Sequence, residues 1–375
     1  MNIYICVEIA SREMIFFKYI KNVLNENNFK CILGFSDDII DGLISGKLSS
    51  GIIIVKSIQI YTLRKLVLLR LSGNKIVYME EEAWVPFNDE DILRRRFPEI
   101  TYKLCSAVFS PNKYYYDLIS SVPFTNKQKI FNVGTKRMSL KKEFNVSNFK
   151  SILFLGSYGA LTSEKYFLDV FSKELGFIDK CRLRKKYKKF FVQCNDDKLA
   201  LFKLMNTLAK DNNVNISYRP HPSEKNTILD NNIKLATNKT PIEEICKGHD
   251  LIIHSGSTST FEISTGKVLC YCSDKSTEIH QNSKFHGPIA HTIDDIYKIC
   301  KSNFKCIYND FYFVNKFDEN IFINTLKDIN VKPLKPLKPF KLLINFIYKF
   351  YLVTISPFRR NKILLDHKRK RFNEF

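Results

Sequence analysis

The chain has 375 residues, 45% of them hydrophobic and 26% charged, a balance that excludes a disordered polymer and supplies apolar material for two cores. Thirteen Gly and twelve Pro are too few for collagen-like or low-complexity sequence. The net charge of +21 leaves nucleic acid and anionic lipid as the usual partners of its basic patches.

Met1-Asn-Ile-Tyr-Ile-Cys-Val-Glu8 has no basic region followed by a long apolar core, so it reads as a first strand and not as a secretory leader. No uncharged run reaches the ~20 residues that span a bilayer. Ile3–Val7 is followed by a helical pattern over Glu13–Asn27. Short strands are predicted at Lys30–Gly34, Gly51–Val55 and Lys75–Met79, with a helix over Thr62–Leu71 between the last two. Ala107–Ser110 and Lys129–Val133 complete the set. Strands alternating with helical stretches predict a doubly wound α/β domain over 1–145.

A polar stretch, Lys136–Lys150, precedes a new strand at Ser151–Leu155, then Gly156-Ser-Tyr-Gly159. A helix from about Thr162 and a long basic helical region through Lys210 follow, carrying Arg182-Leu-Arg-Lys-Lys-Tyr-Lys-Lys189. Val214–Tyr218, Leu251–His254 and Lys267–Tyr271 are the next strands. Pro241–Lys247 is a helix expected to be capped by Thr240, with Pro at its first position. A second Rossmann-like unit is therefore expected over 146–330. The ten Cys form no C-x-x-C pair, and Cys270 and Cys272 alternate within an apolar strand. Reduced, buried thiols in a cytoplasmic protein are the simpler inference.

Residues 331–375 break the pattern, with twelve Lys or Arg against two acids, a net +10. Lys332-Pro-Leu-Lys-Pro-Leu-Lys-Pro339 predicts an extended linker. Phe340–Phe358 is apolar and aromatic, flanked by Arg359-Arg360 and Lys368-Arg-Lys-Arg371. This composition suits an interfacial helix on an anionic membrane surface, through 340–375. The plainer alternative is a C-terminal helix that crosses back onto the first domain.

Two strand ends in the second unit carry the chemistry. Asn215-Ile-Ser-Tyr-Arg-Pro-His-Pro-Ser-Glu224 runs a strand into a turn fixed by two prolines, at the carboxyl end where open α/β sheets bind ligands. His221 there can donate to a phosphate oxygen and Arg219 can neutralise its charge. Pro222, Ser223 and Glu224 complete the corner as sugar or nucleotide contacts. Asp250-Leu-Ile-Ile-His-Ser-Gly-Ser-Thr-Ser-Thr-Phe-Glu262 ends a strand in hydroxyl residues around Gly256. Ser255, Ser257, Thr258, Ser259 and Thr260 would present hydroxyls and backbone amides to an anion. Ordinary helix capping needs one such residue, not five. His254 reads either as part of this site or as a satisfied strand-end histidine, and Glu262 either as a hydroxyl contact or as a cap. Gly156 and Ser157 are a further contact to the donor or the acceptor.

These two segments resemble the His-Pro and Ser/Thr motifs of GT-B transferases that use cytidine-activated donors, namely bacterial sialyltransferases and polysialyltransferases, Kdo transferases and, further off, CDP-glycerol glycerophosphotransferases. In those families the motifs hold the cytidine nucleotide and its phosphate. Val7-Glu-Ile-Ala-Ser-Arg-Glu13 resembles the Glu-Ile-x-Ser-Arg-Glu opening of the surface carbohydrate biosynthesis protein family. Tyr78-Met-Glu-Glu-Glu-Ala-Trp84 with Arg94-Arg-Arg96 is similar to that family's Asp-Glu-Glu-Gly and later Arg-Arg, with Ala83 in place of Gly. The resemblance covers roughly residues 1–300.

It implies a GT-B fold, two Rossmann-like domains facing a central cleft. It also implies an acidic catalytic group among Glu80, Glu81 and Glu82, with Glu82 slightly favoured over Glu81. Three adjacent carboxylates repel, which raises one of them toward general-base duty. Arg12 is placed to bind a donor carboxylate. Asp89-Glu-Asp91 matches a metal-binding D-x-D pattern but equally a helix start, so no metal or cofactor is expected. Leaving-group charge would fall to His221, Arg219 and the Ser/Thr turn. The expected function is transfer of Kdo or a nonulosonate from a CMP donor to a cell-surface polysaccharide or lipid-linked glycan, at the inner membrane face. The alternatives are transfer from CDP-glycerol or a UDP-sugar, and a basic nucleic-acid-binding or scaffold protein. Nucleic acid is the less expected partner, because the cations sit beside an apolar tail and not among stacking aromatics.

Overall fold

The computed structural model describes residues 1–8, 10–81, 89–135, 144–146, 149–157, 164, 180–210, 214–221, 224, 231–237, 240–257, 260, 263, 268–273, 288–301, 304–306 and 316–329. The chain divides into two compact units.

The first unit opens with β1 (Asn2–Val7), α1 (Ala10–Glu26), β2 (Lys30–Phe35), α2 (Ser36–Ser45), β3 (Ile52–Val55), α3 (Leu63–Leu71) and β4 (Lys75–Met79). After α4 (Asp89–Arg96), whose residues up to Arg95 group with the second unit, and α5 (Glu99–Tyr102) come β5 (Cys105–Ser110), α6 (Lys113–Ser120) and β6 (Ile130–Asn132). All strand pairs are parallel, in the order β2-β1-β3-β4-β5-β6. Helices cover both faces of such a sheet, so its strands need not alternate; β3, Ile-Ile-Ile-Val, is buried throughout. The order reverses between β1 and β3, and ligands bind at the carboxyl ends of strands at such a switch point.

The second unit contains β7 (Phe144–Val146), β8 (Ser151–Leu155), α7 (Lys180–Ala209), β9 (Asn215–Arg219), β10 (Ile233–Leu235), α8 (Ile242–Lys247) and β11 (Leu251–His254). It continues with β12 (Val268–Tyr271), β13 (Ile289–Ala290), α9 (Ile293–Lys301) and β14 (Phe304–Cys306). Its parallel sheet has the order β10-β9-β8-β11-β12-β13, and β7 and β14 form a small antiparallel pair. The switch point lies between β8 and β11. Leu201, Leu204, Met205 and Leu208 of α7 pack into the core over this sheet. A helix of 30 residues is about 45 Å long, well beyond a five-residue strand of about 17 Å. Lys198 of α7 meets Glu224 past the carboxyl end of β9.

The α/β architecture of two Rossmann-like units matches the expectation. Boundaries differ among the described residues: 89–95 and 144–145 group with the second unit, and 316–329 return to the first. The cause of that return is α10 (Glu319–Asp328), whose Phe322, Ile323 and Leu326 are buried in the first core with Phe16 and Phe109. Asp318 caps it by accepting from Ile321 N at 2.9 Å, while Asp318 N donates to Val133 O at 2.7 Å. The helix expected from Pro241 starts one residue later. Pro241 itself is the N-cap, in extended conformation, and no side chain caps the helix; the Thr240 carbonyl accepts from Arg219 Nη2 at 3.1 Å instead. Among the described residues no helix is long and apolar enough to cross a membrane. The linker and the proposed interfacial segment 340–375 lie outside the described residues.

Candidate functional site

In the second unit three neighbouring strands deliver the expected residues to one carboxyl edge. β9 ends at Arg219 and leads to His221, β8 ends before Gly156 and Ser157, and β11 ends at His254 before Ser255–Ser257. Strand β8 lies between the other two. Adjacent strands sit ~4.8 Å apart, so the His221 corner and the hydroxyl turn leave strands about 10 Å apart on the same edge. Gly156 and Ser157 rise between them. Ser157 carries a buried hydroxyl with no hydrogen-bond partner, a donor that a bound group would satisfy.

The corner is braced from below. Glu224 N donates to His221 O at 2.8 Å, and His221 N donates to Glu224 Oε2 at 3.2 Å. Tyr218 Oη donates to both Glu224 oxygens at 2.8 Å, and Lys198 Nζ lies 3.5 Å from Oε1. Gly156 fits here because it has no side chain: a Cβ would fall 2.6 Å from Tyr218 Oη and 2.9 Å from His221 N. The His221 residue is exposed, whereas the Glu224 side chain is only 2% exposed. Glu224, expected as a donor contact, is held internally: Tyr218 Oη, Lys198 Nζ and His221 N all meet its carboxylate. Pro222 and Ser223 lie outside the described residues.

The hydroxyl turn is partly spent on its own architecture. Gly256 takes a left-handed φ of 75°, which turns the chain after β11 at no steric cost. His254 is buried, and its Nδ1 accepts from Ser257 N at 3.1 Å, so it is a satisfied strand-end histidine. Thr260 is fully buried and its hydroxyl donates to Ser257 O at 2.7 Å. The Thr260 hydroxyl is thus engaged within the turn itself. Ser255, Gly256 and Ser257 are half-buried at the edge. Thr258, Ser259 and Glu262 lie outside the described residues.

In the first unit the acidic run splits between two environments. Glu80 is buried beside Tyr78, whose hydroxyl donates to it, and 3.2 Å from Arg96 Nη1. Tyr78 Oη is 3.3 Å from Tyr115 Oη. Burial, and next the Glu80 carboxylate, push both phenols well above their ordinary range, which keeps them as donors. Glu80 and Glu81 thus face separate cations, which relieves their mutual repulsion. Glu81, 2% exposed, lies 3.6 Å from Lys56 Nζ. Glu82 falls outside the described residues. Arg12 lies within α1, and its side chain is outside the described set.

Sequence reasoning missed the hub of this arrangement. Lys56 follows the apolar strand β3 and is 4% exposed by side chain. It bonds to Glu13, which is fully buried, and also lies 3.9 Å from Glu8. Glu13 in turn accepts from Glu8 N at 2.8 Å. Glu8, Lys56 and Glu81 follow β1, β3 and β4, adjacent strands at the switch point. The one signal in the sequence was a lone Lys directly after four aliphatic residues.

No family model matches the chain, and no curated protein matches it. Solved structures do show similarity. A co-structure of S. aureus MnaA with UDP is 11% identical, with a TM-score of 0.49, covering 87% of this chain and 95% of that chain. The wall teichoic acid polymerase TagF is 12% identical, with a TM-score of 0.43, covering 93% and 88%. The spinosyn rhamnosyltransferase SpnG, complexed with spinosyn aglycone, is 9% identical, with a TM-score of 0.32, covering 72% and 80%. The two strand orders themselves define this chain's architecture.

Proposed function

We propose that the chain is a glycosyltransferase that moves Kdo or a nonulosonate from a CMP-activated donor to a cell-surface polysaccharide or lipid-linked glycan. The observation that carries this reading is the convergence of the Arg219–His221 corner, Ser157 and the Ser255–Ser257 turn on one carboxyl edge at a switch point. Backbone amides, hydroxyls, an imidazole and a guanidinium there are the groups that hold phosphate. In the transfer step the acceptor hydroxyl oxygen bonds to the anomeric carbon and the bond from that carbon to the phosphate oxygen breaks. CMP leaves with the bonding electrons, its charge met by Arg219, His221 and the turn. A carboxylate takes the acceptor's proton; Glu82 is assigned that role, with Glu81 as the next candidate, and the Arg96 and Tyr78 partners of Glu80 argue against it.

A thermal-shift screen of the full chain with CMP, CDP, UDP and GDP tests the reading. CMP is expected to give the largest stabilisation. Equal indifference to all four nucleotides would refute it, and a preference for CDP or UDP would move the donor to CDP-glycerol or a UDP-sugar. Residues 340–375 are proposed to seat the enzyme on the inner face of the membrane. Flotation with anionic vesicles, set against an oligonucleotide mobility shift, distinguishes that placement from nucleic-acid binding.

A further inference from the structure

We propose that Glu224, with Tyr218 and Lys198, is a positioning group that sets the shape of the His221 corner without touching the ligand. This inference rests on the reading of that edge as a nucleotide site. Both polar backbone atoms of His221 are bonded to one residue: its N–H to the Glu224 carboxylate, and its C=O to the Glu224 N–H. Such a reciprocal pair fixes the peptide on each side of the His221 Cα and so aims the imidazole. The carboxylate is held in turn by groups from two other elements. Tyr218 is the fourth residue of β9 and is 1% exposed, its ring edge-on to Phe202 of α7 at 5.4 Å. Lys198 of α7 lies over the Phe202 ring, 5.3 Å from its centroid. The brace therefore ties the corner to the strand and to the long helix at once. Gly156, which admits no Cβ, brings the end of β8 against the same carboxylate. A loop bearing two prolines already has few backbone conformations, and the brace selects one of them.

The two roles for Glu224, brace or ligand contact, differ in what Tyr218 does. Tyr218→Phe removes one oxygen from a residue buried beneath the corner and leaves its ring packing intact. If Glu224 positions His221, this variant weakens binding of CMP, measured by titration calorimetry on the full chain, by about three- to tenfold. Glu224→Gln, which keeps an acceptor for His221 N, stays within about threefold of the parent, and Glu224→Ala loses about tenfold or more. If Glu224 contacts the ligand, Tyr218→Phe binds CMP as the parent does while Glu224→Gln loses most affinity, and the proposal is overturned. Leu208→Ala, at the far end of α7, controls for stability alone: it should lower the melting temperature without changing the dissociation constant. Should the parent bind no nucleotide, hydrogen exchange at the His221 amide still reads the brace. Protection lost in Glu224→Ala supports it, and exchange unchanged from the parent overturns it. Failure of the nucleotide reading is thus separable from failure of the brace.

Discussion

Replacing Lys56 with Met should be among the most damaging single changes in the first unit. The side chain is 4% exposed, and its neighbours Glu13 and Glu81 are 0% and 2% exposed. Met retains the aliphatic stem and removes the ammonium, so the loss is almost wholly electrostatic. Breaking a buried ion pair by deleting one partner costs about 3–5 kcal/mol, because the remaining charge stays buried without compensation. Here two buried carboxylates from different elements, Glu13 of α1 and Glu81 after β4, lie within 4 Å of the ammonium, which places the expected cost at the upper end. For a unit of this size that corresponds to a fall in Tm of roughly 6–20 °C. Urea unfolding followed by circular dichroism at pH 7 measures it, with hydrogen exchange locating the loss in β1, β3 and β4. Adding Glu13→Gln to Lys56→Met removes the nearest stranded charge and should return at least ~1 kcal/mol, since contacting charges are not additive. A single-variant cost below ~1 kcal/mol, or a double variant no more stable than Lys56→Met, would refute the claim that Lys56 holds this edge together.

Four further outcomes are expected. Burial pushes the thiols of Cys6, Cys31, Cys105 and Cys270 up to about 12, so at pH 8 each is thiolate only about one part in ten thousand; Ellman's reagent should label them slowly in the native protein and rapidly in guanidinium. Tyr115→Phe removes a hydroxyl from the Glu80 network and should cost about 1–3 kcal/mol of stability, measured by urea titration. Asp318→Ala deletes the cap of α10 and should cost about 1 kcal/mol, seen as faster amide exchange across 319–328. Asp295 and Thr292 cap α9 reciprocally at 3.0 Å; the Thr292 hydroxyl, with backbone bonds, holds the Asp295 carboxyl below its usual range. A lowered folded value stabilises above the unfolded one and is lost as pH falls through the folded one, so the stability gap between parent and Thr292→Ala should be present at pH 6 and shrink toward pH 3.

The sequence made the central strands legible because parallel strands covered on both faces are unbroken apolar runs. Lys75–Met79, Ser151–Leu155 and Leu251–His254 were each read to the residue for that reason. The edge strands of the second unit failed: β10 and β13 contribute three and two residues, too few for any periodicity to register. The α10 segment was read as part of the second unit because chain order alone cannot show a return; only Phe322 and Leu326 packing on Phe16 and Phe109 reveals it. At the candidate site, the strand-end corners were visible because they sit directly after strong strands and carry Pro and Gly. What each side chain does was not. Glu80 and Glu81 are neighbours in sequence, yet one faces Arg96 and the other Lys56, a division set by partners 16 and 25 positions away. Glu224 looked like a ligand contact by residue type, and burial makes it a brace.

The two switch points carry opposite chemistry, which is what the proposed transfer asks of them. At the β1–β3–β4 edge of the first unit, carboxylates outnumber the single lysine among Glu8, Glu13, Lys56 and Glu81. An anion would be repelled there, but an acceptor hydroxyl could give up a proton to a carboxylate at the end of the acidic run. At the β9–β8–β11 edge of the second unit, Arg219, His221, the Ser157 hydroxyl and the amides of the Gly256 turn favour negative charge. Burying Glu13 and Glu81 beside Lys56 at the first edge is costly to desolvate, and nucleotide binding at the second edge would not call for it. The proposed transfer, in which one partner loses a proton while the other departs as a phosphate, has a use for both properties.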